Sequence, residues 1–178
     1  MDAEHLASLI RDVPDFPHPP VVFKDITTLL CSPGALGAAV DLMEREVSDL
    51  RFDAVASIES RGFVFGAVIA ARRGVPLILV RKPGKLPAES IGEDYELEYG
   101  RGRIEMHRGS VPPGGSVLVV DDLVATGGSA LAAARLVERD GGRVAGAVFL
   151  VNLEFLGGRA RLEAAGLPAR SVMRVDSE

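Results

Sequence analysis

The chain has 178 residues, 47% of them hydrophobic, and 20 Lys and Arg against 25 Asp and Glu, for a net charge of -5. That length and composition suit one compact domain with a sizeable core, and the acidic balance argues against a protein whose main ligand is a nucleic acid. Cys31 is the only cysteine, which excludes an internal disulfide or a thiolate metal cluster and points to a reducing compartment. The amino terminus, MDAEHLASLIRDV, lacks the layout of a secretory signal, and no apolar run approaches the roughly 20 residues of a membrane helix, so a cytoplasmic protein without membrane contact is expected.

Residues 5–12 read as a short helix, followed by PDFPHPPVVFKD (14–25), whose four prolines fix φ and argue against regular structure. Ser32 and Pro33 suit the N-cap and first position of a helix that runs toward Leu50, and Cys31 beside them reads as a small buried apolar group. A strand at 53–58, a helix at 63–74 and a strand at 75–81 then make a βαβ unit. The stretch 82–100 carries prolines, glycines and many carboxylates with weak structural signals, as a lid or binding loop does, and RIEMH (103–107) alternates like an edge strand. PPGG (112–115) is a turn. A strand ending at Asp122, a helix at 128–142, a strand at 143–151, a helix at 158–165 and a strand at 170–175 complete the chain. Near-continuous Val, Ile and Leu runs suit strands covered on both faces, so the expected fold is α/β, an open, mainly parallel sheet flanked by helices.

The chemistry concentrates in VLVVDDLVATGGSA (117–130). Its polar residues fall at the carboxyl end of a strand, where open α/β sheets bind ligands. ATGGS (125–129) has no bulky side chain, and its backbone N–H groups and hydroxyls sit at a helix start, which makes a phosphate site. The loop has neither the lysine of a nucleoside-triphosphate loop nor the dinucleotide fingerprint, so a terminal phosphate is expected. Asp121 and Asp122, when ionised, only accept hydrogen bonds and call for hydroxyls or a metal ion. A ribose 5-phosphate with free 2- and 3-hydroxyls satisfies loop and carboxylates together. The plainer alternative is a turn whose Asp residues only cap the backbone.

That segment resembles the 5-phosphoribosyl diphosphate (PRPP) signature of the type I phosphoribosyltransferases. The resemblance extends, in order, through PDFPHPPVVFKDITTLL, IESRGFVFG (58–66), VRKPGKLP (80–87), YELEYG (95–100) and FLGGRARL (155–162) to the adenine-specific members of that family. It implies a single phosphoribosyltransferase domain over 1–178, with an N-terminal hood at about 1–30 and a flexible active-site loop at about 82–102. It implies transfer of the phosphoribosyl group from PRPP to adenine, giving AMP and pyrophosphate, with Mg2+ bound through PRPP and no direct protein ligand, in a homodimer.

Carried over by motif, Asp121 and Asp122 hold the ribose hydroxyls, and Ala125, Thr126, Gly127, Gly128 and Ser129 hold the 5-phosphate. Ser129 stands where the family more often has Thr, with the hydroxyl kept. Arg61, Arg81, Lys82 and Lys85 form the pyrophosphate site, although by themselves the lysines read as a solvated loop. Glu98 is the candidate acid for adenine N7, with Tyr99 beside it on the lid; alone, Glu98 reads as one more acid in a charged loop. Phe23 stacks on the base opposite Leu123, and backbone groups around Val22 and Lys24 read the base edge; alone, Phe23 reads as core. The three scattered His residues suggest no metal site. Two other readings compete: transfer to a different nucleobase, and a PRPP-sensing regulator that keeps the fold and binds nucleic acid.

Overall fold

The computed structural model describes residues 1–97 and 100–177. The first helix, α1 (Ala3–Ser8), begins earlier than the apolar pattern suggests because the Asp2 side chain caps it, accepting from the His5 N–H at 2.9 Å. The proline-rich arm, expected to lack regular structure, forms an antiparallel hairpin of β1 (Arg11–Pro14) and β2 (Val22–Asp25). Its prolines are confined to the end of β1 and the turn, so Arg11–Val13 and all of β2 keep the N–H groups that pairing needs. A single turn, α2 (Thr27–Leu30), follows. Ser32 does not cap the next helix: its hydroxyl donates back to the Thr28 carbonyl at 3.0 Å, and α3 (Ala35–Glu46) starts instead after Gly34, whose φ is 79°. Cys31, expected to be buried, is exposed at the end of α2.

The βαβ rhythm then appears as β3 (Ala54–Ile58), α4 (Gly62–Arg73) and β4 (Leu77–Val80). Residues expected to carry little regular structure supply β5 (Ser90–Leu97), which pairs antiparallel with β6 (Gly100–His107) in a separate ribbon. The many carboxylates there have basic partners: Asp94 pairs with Arg103 at 2.8 Å, and Glu93 with Arg139 at 2.8 Å. Ile91, Ile104 and Met106 anchor the ribbon in the core. The chain continues through β7 (Ser116–Val124), α5 (Gly128–Arg139), β8 (Arg143–Leu153), α6 (Gly158–Ala164) and β9 (Ala169–Val175).

The main sheet is parallel throughout, in the order β4-β3-β7-β8-β9. Successive strand residues point to opposite faces. Ala54, Ala56, Val117 and Val119 pack under α5, while Val55, Leu118 and Val120 pack with α3 and α4. Along β3, β7 and most of β8 both faces are covered, which is why those strands run apolar without alternation, whereas Leu77 and Leu79 on the edge strand β4 are exposed. From β3 the chain crosses outward to β4, and from β7 it crosses the other way to β8. The crevice beyond the carboxyl ends of β3 and β7 is therefore the topological switch point, the place where this architecture opens a site.

Candidate active site

A cleft of about 220 Å³ occupies that crevice, lined by Glu59, Ser60 and Arg61 after β3, by the 121–130 segment, and by Tyr95 of the ribbon. It brings together Arg61, Asp121, Asp122, Leu123, Ala125, Thr126, Gly127, Gly128 and Ser129, all singled out by sequence.

Its anion side is built from backbone. Gly127, with φ 76°, precedes α5, and no side chain caps that helix. The first N–H groups of α5 therefore lack intrahelical partners and lie beside the cleft, with the positive end of the helix dipole behind them. Bulk is excluded from both sides of the loop. A Cβ on Gly158 would collide with the Ala125 carbonyl and meet Gly127 N at 2.8 Å, and one on Gly128 would meet the Glu96 carbonyl at 2.6 Å.

Its acidic side is buried: Asp121 is 9% and Asp122 4% exposed. Asp121 Oδ1 accepts from the Asp122 N–H at 2.9 Å. Burial, and then the charge of Asp122, push the Asp121 carboxyl well above the usual range. Burial also raises Asp122, against the opposing pull of the Arg61 guanidinium. Arg61 Nε stands 2.9 Å from Asp122 Oδ2, but out of line for a hydrogen bond, so this buried oxygen is left with none. A buried carboxylate oxygen without a donor is costly, and a ligand hydroxyl or a cation would satisfy it. Among the described residues, no three His, Cys, Asp or Glu side chains gather into a ligand set for a metal.

The hood meets this cleft through Arg61. Its guanidinium carbon lies 4.7 Å above the Phe23 ring, and Nη1 donates to the Lys24 carbonyl at 3.3 Å. Phe16 packs edge-on against Phe23 with centroids 5.2 Å apart, and Val13, Phe16, Phe23 and Arg61 line an apolar recess of about 380 Å³. Val22 pairs with Pro14 in the hairpin, and the Lys24 ammonium is 2.8 Å from Asp12.

Arg81, Lys82 and Lys85 do not line the cleft; they occupy the loop after β4. Arg81 Nε and the Lys82 N–H both donate to Glu59 Oε2, at 3.1 and 3.0 Å, which ties that loop to the cleft wall. Glu98 and Tyr99 lie outside the described residues.

Sequence reasoning passed over Glu59, Ser60, Tyr95 and Phe16. All four stood in motifs already quoted, where the neighbouring Phe23, Arg61 and Glu98 drew the assignment. The Tyr95 hydroxyl is shifted upward, chiefly by burial and then by the charge of Asp121.

The comparisons agree with this geometry. Residues 26–175 match the phosphoribosyl transferase domain family, and the chain belongs to that family. It is 52% identical over 158 residues to an adenine phosphoribosyltransferase from Sorangium cellulosum, covering 89% of this chain and 79% of that one. The crystal structure of adenine phosphoribosyltransferase from Thermoanaerobacter pseudethanolicus superposes with a TM-score of 0.93 at 43% identity, covering 97% of this chain and 99% of that one. The Giardia lamblia enzyme, solved with 9-deazaadenine, gives a TM-score of 0.92 at 33% identity, covering 99% of both chains.

Proposed function

We infer that this chain is an adenine phosphoribosyltransferase, transferring the 5-phosphoribosyl group of PRPP to adenine and releasing AMP and pyrophosphate in purine salvage. The observation that carries this reading is the pairing, in one cleft, of the uncapped start of α5 with a buried acid pair, one oxygen of which has the Arg61 ion pair but no hydrogen bond. A phosphate and a ribose diol answer those two needs together.

In this reading the loop 125–129 binds the 5-phosphate through N–H groups and the Thr126 and Ser129 hydroxyls, while Asp121 and Asp122 accept from the ribose hydroxyls. The ribose is thereby held with its anomeric carbon between the base pocket and the cations. Loss of pyrophosphate builds positive charge on the ribose and negative charge on the leaving group. Arg61, Arg81, Lys82 and Lys85 stabilise the latter, and the buried carboxylates face the former. Mg2+ would be held through PRPP, without a direct protein ligand, and would supply further positive charge at the leaving group.

Adenine stacks on Phe23, with Leu123 on its other face, and backbone groups of Val22 and Lys24 read its edge. A 6-oxo purine would leave such buried groups unpaired, which gives selectivity. Glu98 handles the N7 proton: it accepts that proton as adenine N9 bonds to the anomeric carbon and donates it back to N7 in the reverse reaction, with Tyr99 on the lid formed by residues 82–102. No helix among the described residues is long and apolar enough to cross a membrane; a cytoplasmic homodimer completes the reading, and a monomeric mass in sedimentation at micromolar concentration would remove the dimer from it.

The deciding experiment is pyrophosphate release from PRPP and Mg2+ with adenine, hypoxanthine, guanine, xanthine or orotate. Release with adenine alone is expected. Release with another base instead would void the hood assignment, and PRPP binding without release would favour a regulator.

A further inference from the structure

We propose that Glu59 is a positioning residue that sets the loop Arg81–Lys85 in the geometry that receives pyrophosphate; this rests on the phosphoribosyl-transfer reading above. Glu59 follows β3 directly, and its side chain is only 14% exposed. Its N–H donates to the Val80 carbonyl at 2.8 Å, while Oε2 accepts from Arg81 Nε at 3.1 Å and from the Lys82 N–H at 3.0 Å. One residue thus joins the ends of β3 and β4, the two strands that deliver the cations of the leaving-group site.

The ribbon holds the same loop from the other side. Arg81 and Glu105 exchange backbone hydrogen bonds at 2.8 and 2.7 Å, and Glu105 Oε2 accepts from the Gly84 N–H at 3.1 Å. The loop is therefore suspended between two carboxylates, one rooted in the sheet and one in the ribbon.

Electrostatics argues that this clamp serves the ligand as well as the fold. A carboxylate beside a pyrophosphate site repels the ligand, so its presence costs affinity unless what it positions returns more. Arg81 spends Nε on Glu59 and Nη1 on the Lys85 carbonyl, at 3.0 Å, which fixes the plane of its guanidinium. The ammonium groups of Lys82 and Lys85 make no ion pair among the described residues. The clamp thus uses one edge of Arg81 and one backbone N–H, and leaves two cations for the incoming anion. Donors fixed in advance are what a charge-separating step requires.

The test compares the unaltered protein with Glu59→Ala and Glu59→Gln in the direction AMP plus pyrophosphate, with Mg2+, and by titration of inorganic pyrophosphate onto the protein with no base present. Glu59→Ala is expected to raise the pyrophosphate KM and Kd about 10- to 100-fold, while the AMP KM stays within about twofold, since misplacement of a binding group costs on this scale. Glu59→Gln keeps a carbonyl for the Lys82 N–H and is expected to fall between the two; if Glu59→Ala does not fold, it carries the test through the same split. An unchanged pyrophosphate KM and Kd, or AMP and pyrophosphate KM values rising together, would overturn the proposal. If the unaltered protein turns over no base yet binds pyrophosphate, the transfer reading fails while the titration still judges Glu59.

Discussion

Arg61 Nε lies 2.9 Å from Asp122 Oδ2, making one guanidinium the bridge between the hood and the floor of the cleft. The same group covers the Phe23 ring and reaches the Lys24 carbonyl. In the proposed reading each contact belongs to a different substrate half: the carboxylate to ribose, the ring and carbonyl to the base. Arg61→Ala is accordingly expected to lower kcat/KM for PRPP by about 100-fold, or ~2.7 kcal/mol of transition-state stabilisation. Phe23→Ala is expected to raise the adenine KM about tenfold with little change for PRPP, because stacking on one base is worth ~1–3 kcal/mol. Steady-state kinetics with each substrate varied in turn checks both; equal effects of Phe23→Ala on the two KM values would remove Phe23 from the base pocket.

Asp121→Asn separates binding from stability. Burial and Asp122 raise the folded-state pKa of Asp121, so the folded protein holds the proton to higher pH than the unfolded chain does. Stability linked to this group is complete below the ordinary Asp value of about 3.9 and is lost as pH rises through the raised folded value. Asparagine is neutral and close in shape, so Asp121→Asn is expected to raise the thermal midpoint at pH 7, with the gain shrinking below about pH 4. PRPP binding is expected to weaken where Asp121 is ionised, above its raised pKa, and to approach that of the unaltered protein where the acid is protonated. Thermal melts across pH and PRPP titration measure the two effects; an unchanged PRPP affinity would sink the ribose assignment.

Gly158→Ala tests the packing that shapes the loop 125–129, the proposed phosphate site. The added methyl would meet backbone atoms of Ala125 and Gly127, which cannot swing aside as a flexible side chain can. A destabilisation of about 1–3 kcal/mol is expected, as for other overpacked sites. A loss of affinity for ribose 5-phosphate should accompany it, read by denaturant melts and by titration. An unaltered affinity would mean that the loop tolerates the shift.

The hood has its own acid-dependent fastening. The Thr27 N–H first, then Arg11 and the Thr27 hydroxyl, hold Asp25 at about 2. A depressed carboxyl contributes stability above its unfolded value, near 3.9, and loses it as pH falls through the folded one. Asp25→Asn is expected to lower the midpoint at pH 7 and to match the unaltered protein near pH 2. Melts of the two proteins over that range decide it.

Local pattern determined much of this protein. The apolar runs of β3, β7 and β8 and the small-residue loop before α5 were legible, because each depends on side chains and backbone within a few residues. Asp121, Asp122 and the loop 125–129 were legible as a site for the same reason: one continuous segment carries both halves of it. What needed tertiary structure was anything settled by a distant partner. The hairpin of the proline-rich arm exists because β1 and β2 satisfy each other, and the acidic stretch of β5 is ordered by Arg103, Arg135 and Arg139 from other elements. Glu59 and Tyr95 had no local signal of their own; the crossover of the sheet placed one against Arg81 and Lys82, and the ribbon carried the other over the acid pair. Sequence determined which groups could bind a phosphorylated ribose, because their chemistry is intrinsic. The fold decided which cations and aromatic rings meet it, because long-range proximity is a property of the packed sheet and not of any one segment.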